Sequence, residues 1–206
     1  MGIEPTLDPA LLRPHVRGRR VLVGVCGGIA AYKTCSLVSR LVQADAEVHV
    51  VMTEGAQRFV TPLTFQALSG RPVITSAWEQ IDGADPQHIR LADRLDAAVV
   101  APATMDCLAR LATGRADDAV SLVLSAVDRA RVPVLLAPAM NAVMWAQPAT
   151  QRNAAALRAD GFALLAPGEG WQACRHLGPG RMPEPEQIAA GLVEVLASTR
   201  PDRTAR

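Results

Sequence analysis

The segment Cys26-Gly27-Gly28-Ile29-Ala30-Ala31 sets two adjacent glycines between an apolar run, Arg20 to Val25, and a stretch with helix-spaced apolar residues at Ile29, Tyr32, Leu37, Val38 and Leu41. Glycines at a strand-to-helix turn let backbone N–H groups come close to an anion at the positive end of the helix. Gly27, Gly28 and Ile29 are therefore candidates for holding a phosphate. The segment is not GxGxxG and carries no GKS/T, which favours a mononucleotide over a dinucleotide or a nucleoside triphosphate. Thr53 and Thr104 follow two further apolar runs. A hydroxyl at a strand end either adds a phosphate or ribose contact or caps the following helix. Taken singly, each of these residues also reads as an ordinary turn or cap.

The elements that must position them follow from periodicity. Arg20 to Val25, Glu47 to Met52, Asp96 to Ala101, Val132 to Ala137 and Phe162 to Ala166 are short β-rich runs without alternation. Such runs suit parallel strands covered on both faces. Helical patterns over Ile29 to Gln43, Pro62 to Ser69, Met105 to Ala112, Asp117 to Val127, Pro148 to Asp160 and Pro185 to Ala197 lie between or after them, several opened by proline. The predicted fold class is α/β, a single doubly wound parallel sheet of Rossmann-like or flavodoxin-like type. Residues 1–19 read as an N-terminal arm, 20–198 as the domain and 199–206 as a C-terminal tail. Gly70 to Arg90 and Pro167 to Pro183 are rich in Gly, Pro and charge, and such loops at strand ends commonly carry sites.

Lys+Arg 21 against Asp+Glu 20 leaves almost no net charge, so no basic face points to nucleic acid. No apolar run approaches a membrane span of about 20 residues. The four cysteines make no CxxC pair and the four histidines show no ligand spacing with them, so no metal site is expected. Free thiols and the lack of a leader pattern predict a cytoplasmic protein.

Five motifs occur in order: GGIAAYK at 27–33, HIRLA at 88–92, APATMD at 101–106, PAMNAVMW at 138–145 and ACRHLGPGRM at 173–182. Over residues 20 to 192 the set resembles the homo-oligomeric flavin-containing cysteine decarboxylases, the family of phosphopantothenoylcysteine decarboxylase and of the enzymes that decarboxylate the C-terminal cysteine of ribosomal peptides. The resemblance implies bound FMN, a trimer or a dodecamer of trimers, and an active site shared between two chains. Its cofactor set is Gly27, Gly28, Ile29, Thr53, Ala103, Thr104, Met105, Asp106 and Ala139. His88 matches the family's active-site histidine and would act as general base. Asn141 matches the asparagine that holds the substrate carboxylate, with Met140, Met144, Trp145 and Arg175 around the substrate. Cys174 matches the cysteine that returns a proton while reduced flavin returns its hydride.

The chemistry explains the need for a flavin. Decarboxylating a cysteine leaves a carbanion with no place for its charge, whereas prior oxidation of the C–S bond to a thioaldehyde puts an electron sink β to the carboxylate. Oxidised FMN accepts the hydride, while the protein supplies position and a base. The family's usual ACGD reads Ala173-Cys174-Arg175-His176 here, and Asp93 stands five positions after His88, where enzymes of coenzyme A synthesis often carry a basic residue. With no synthase region after the domain, these departures favour a peptide ending in cysteine as substrate, with phosphopantothenoylcysteine as the alternative. A flavin prenyltransferase should lack PAMNxxMW, and a non-catalytic FMN-binding regulatory protein should carry acidic extensions.

Overall fold

Strands that are apolar at every position bury both faces, and this chain does so along its central sheet. The computed structural model describes residues 8–78, 87–171 and 175–198. Five parallel strands, β1 (Arg20–Val25), β2 (Glu47–Met52), β3 (Ala97–Ala103), β4 (Val134–Pro138) and β5 (Ala163–Leu164), pair in the order β2-β1-β3-β4-β5. Alternate side chains feed two cores. Val21, Val23, Val25, Val99, Ala101, Leu135 and Ala137 meet α2 (Ala31–Gln43), α4 (Pro62–Ser69) and α10 (Pro185–Ser198) on one face. Leu22, Ala98, Val100, Val134 and Leu136 meet α5 (Gln87–Ala92), α6 (Met105–Ala112), α7 (Ala119–Ser125) and α9 (Pro148–Ala159) on the other. Each fully buried leucine, such as Leu37, Leu41 or Leu136, contributes about 2 kcal/mol by leaving water. The α/β doubly wound, flavodoxin-like architecture expected from the sequence is thus the architecture found.

Helix boundaries have local causes. Thr104 and Asp118 cap α6 and α7 through side-chain oxygens, Asp118 within a reciprocal box with Ser121, and Gly70 ends α4 in the left-handed conformation. Thr53 caps the short α3 (Glu54–Gln57). The fifth strand, at the sheet edge beside β4, is only Ala163–Leu164.

Two regions differ from expectation. Residues 9–16, assigned from sequence to an arm, form α1 (Pro9–Val16), capped by the Asp8 side chain on the Ala10 N–H at 2.8 Å. Leu12 and Val16 are buried against α2 and α10. A pair of apolar residues four apart in so short a segment is too small a periodic signal to detect. The unassigned stretch 167–183 contains an antiparallel hairpin, β6 (Gly168–Trp171) and β7 (Leu177–Arg181). In 70–90, Ile74 bridges Val51 of β2 and α5 begins at Gln87.

At the start of β2, Glu47 bonds His49 at 3.0 Å and lies 3.4 Å from Arg20 and 3.5 Å from Arg71. Burial pushes the Glu47 carboxyl up, but the His49 hydrogen bond, Arg71 and Arg20 together outweigh it and leave the group below its ordinary value. Burial, reinforced by Arg71, holds His49 below the usual imidazole value despite its bond to Glu47. Both depressed values act in one direction. The unfolded chain takes up each proton first, so stability is complete above the ordinary values and is lost as pH falls through the folded ones. We expect the Tm to drop in the histidine range, about pH 7 to 5, before the carboxylate range. His49→Gln should flatten that first drop in a thermal denaturation series; an unchanged profile would refute the assignment.

Candidate functional site: an anion-binding cleft at the switch point

From β1 the chain crosses to β2 on one side and later to β3 on the other, so the carboxyl ends of β1 and β3 part and open a crevice. A cleft of about 1100 Å³ occupies this position. At its inner end Gly27 lies so close to the loop after β2 that a Cβ on it would stand 2.8 Å from the carbonyl carbon of Gly55. A Cβ on Gly28 would meet only Pro102 and Thr104 side-chain atoms at 3.7 Å. The N–H groups of Gly28, Ile29 and Ala30 have no acceptor among the described residues, and they stand at the N-terminal end of thirteen-residue α2. Thr53 and Thr104 cap their helices, taking the Ala56 and Cys107 N–H groups at 3.2 Å each. Each hydroxyl still has its own proton to donate, so capping and anion contact are compatible roles of one side chain.

Toward the other end, Ala139, Met140 and Asn141 leave β4 and enter α8 (Ala142–Ala146). The Asn141 Oδ1 accepts the Met144 N–H at 2.7 Å. That bond assigns the oxygen to the cap and leaves the two Nδ2 donors for the cleft that Asn141 lines. Thr150 holds the Met144 carbonyl at 2.7 Å, and Gln151 the Trp145 carbonyl at 2.6 Å, fixing α8 from α9.

Gly27, Gly28, Ile29, Thr53, Thr104, Met105, Asp106, Ala139, Met140, Asn141 and Met144 all line this one cleft. Other candidates do not. Ala103 is fully buried at the end of β3, where its carbonyl accepts the Ala139 N–H at 3.0 Å, so it shapes the cleft only through backbone. Trp145, partly buried, packs against the hydrophobic core and is not among the residues lining the cleft. Arg175 is exposed and lies outside the lining, with φ of 64°. This left-handed region favours glycine, the residue found there in the ACGD pattern. Cys174 lies outside the described residues. His88 stands apart, in a second pocket of about 320 Å³ formed with Ile74, Ser76, Trp78, Ala119 and Val123.

The cleft also contains groups that the motif reading passed over. Cys26 and Cys107 lie buried at its wall, and the Cys107 thiol, followed by burial, pushes the Cys26 thiol well above its ordinary value. Arg110 is held by Asp106 at 2.8 Å, by Asp118 at 3.5 Å and by Asp117. Lys33, the only lysine of the chain, bonds both oxygens of Glu184 at 2.8 and 2.9 Å, and Arg181 reaches the same carboxylate at 2.5 Å. A lone lysine directly after GGIAAY was the available signal for Lys33. Nothing local connects it to Glu184.

A doubly wound sheet with an anion turn at its switch point defines a mononucleotide-binding α/β protein. The chain belongs to the Flavoprotein family, which it matches over residues 11–197. It is 48% identical over 173 residues to the coenzyme A biosynthesis bifunctional protein CoaBC of Bacillus subtilis, a match covering 84% of this chain and 42% of that relative. The chain thus spans less than half the length of that relative. Among solved structures, the FMN-dependent cysteine decarboxylase SpaF superposes with TM-score 0.76 at 31% identity, covering 91% of this chain and 98% of the other. A cysteine-to-serine mutant of PPC decarboxylase complexed with pantothenoylaminoethenethiol gives TM-score 0.75 at 31% identity, with 85% and 96% covered. The residues present fit the flavin FMN: a single anion turn with three free N–H groups suits one phosphate, and the Thr53 and Thr104 hydroxyls are at hand for it and the ribityl chain. Among the described residues no helix is long and apolar enough to cross a membrane.

Proposed function

We propose that this chain, with FMN, decarboxylates the cysteine carboxylate of phosphopantothenoylcysteine in a site completed by a second copy of itself. The observation that carries the reaction is the amide of Asn141, its oxygen committed to the α8 cap and its donors left to the flavin cleft. A carboxylate accepts hydrogen bonds and makes none, so an amide presenting only Nδ2 recognises it. Bound FMN supplies the two-electron acceptor that turns the cysteine side chain into a thioaldehyde-level electron sink. His88 takes the substrate proton, and because it occupies a different pocket from Asn141, the histidine of one copy serves the cleft of another. A trimer satisfies this arrangement.

The choice of substrate departs from the peptide favoured by sequence alone. The 48% identity to CoaBC over most of this chain outweighs the local departures at Asp93 and Arg175, since SpaF stands at 31%. Cys174 is then the proton donor that makes the net reaction non-oxidative. Mass spectrometry of the products tests both points. The expected product lacks only carbon dioxide, and with Cys174→Ser it lacks carbon dioxide and two hydrogens. Turnover of a peptide ending in cysteine, with phosphopantothenoylcysteine untouched, would overturn the substrate reading.

A further inference from the structure

Strand β7 lies against the segment that carries Asn141 with nothing between them. The Gly180 carbonyl accepts the Met140 N–H at 2.9 Å. A Cβ on Gly180 would stand 2.4 Å from the Met140 oxygen and 3.2 Å from the Asn141 carbonyl carbon and oxygen. Gly180 is buried and has φ of +120°, a conformation that side-chain-bearing residues rarely adopt. Two residues earlier, a Cβ on Gly178 would stand 2.9 Å from the Ala142 Cβ, at the first residue of α8. The strand is fixed on its other side as well. Arg181 bonds Glu184 at 2.5 Å, and Glu184 holds Lys33 of α2. The Asn141 carbonyl in turn accepts the Trp145 N–H at 3.0 Å, so pressure on it shifts the first turn of α8 and the side-chain cap together.

We propose that Gly178 and Gly180 are positioning residues: by bringing β7 into backbone contact with Met140, Asn141 and Ala142, they set where the Asn141 amide meets the substrate carboxylate. This rests on the reading of Asn141 as the carboxylate-binding residue. The clash at Gly180 is with backbone and has no local remedy. The clash at Gly178 is with one methyl group, so removing that methyl should relieve it.

The test uses the flavin-loaded protein and phosphopantothenoylcysteine. For Gly180→Ala, kcat/KM should fall by about 100-fold, the scale of a misplacement of about 1 Å at a reacting group. Flavin content and inhibition by the decarboxylated product, which has no carboxylate to place, should stay at wild-type values, while the Tm should fall because the clash is with backbone. Gly178→Ala should lose about 10-fold, and adding Ala142→Gly should restore kcat/KM to within about threefold of wild type. Wild-type kcat/KM in Gly180→Ala, equal loss of affinity for the carboxylate-free product, or failure of Ala142→Gly to rescue would each overturn the inference. A wild-type protein that decarboxylates neither phosphopantothenoylcysteine nor a cysteine-ended peptide would instead overturn the functional reading on which it rests.

Discussion

Mixing His88→Asn protein with Asn141→Asp protein should restore decarboxylation that neither variant performs alone. Each single variant should lose about a thousandfold in kcat, the scale of a missing general base or of an anion-binding donor turned into an acceptor. His88 lines its own pocket, away from the anion turn, so His88→Asn should keep its flavin. Asn141→Asp should fold because a carboxylate oxygen caps the Met144 N–H as the amide oxygen does. It offers no donor, however, and in the proposed site would meet the substrate carboxylate with a like charge. If each site takes His88 from one copy and Asn141 from its neighbour, random equal mixing leaves both intact at about one site in four. About a quarter of wild-type activity should therefore return on co-expression with two tags and purification of the hybrid. No recovery in such hybrids would place both residues of a working site on the same chain and refute the shared site.

The second large effect separates the two glycines of the anion turn. Gly27→Ala should yield a protein without flavin and with a lowered Tm, because its Cβ would stand 2.8 Å from the Gly55 carbonyl carbon and 3.0 Å from its Cα. Neither loop can yield by a rotamer change, and overpacking of this kind costs about 1–3 kcal/mol. The loops after β1 and β2 must then separate, and the Gly28, Ile29 and Ala30 amides move with the first of them. Gly28→Ala has ordinary contacts at 3.7 Å within the protein, so its apo Tm should match wild type. A weakened flavin affinity in Gly28→Ala would then report contact with the phosphate itself. Absorbance near the flavin band and differential scanning of the apo forms read both effects. Full flavin content in Gly27→Ala would show that the approach of the two loops does not shape the site.

Much of the fold around the cleft was legible from residue order, and the reason is that its signals are local. A run such as Val21 to Val25 is apolar at each position, two glycines break it, and helix spacing follows. Strand, turn and helix are thereby specified within about twenty residues, the range over which backbone preference and periodicity act. Thr53 and Thr104 are caps for the same local reason. The N-terminal helix escaped because Leu12 and Val16 acquire their meaning only against α2 and α10. The β6–β7 pair escaped because Gly178, Pro179 and Gly180 carry no strand preference, and β7 forms by pairing with β6.

The amino-acid order by itself determined the doubly wound α/β plan, the glycine turn at Gly27-Gly28 and the family to which the motifs point. Only the tertiary structure decided which candidates share a cleft. It put Asn141 with the Gly27-Gly28 turn and His88 in another pocket, left Ala103 and Trp145 out of the cleft lining, and joined Lys33 to Glu184 across 151 positions. Short-range preferences are written into neighbouring residues, whereas the meeting of distant ones depends on how helices pack on the two faces of the sheet.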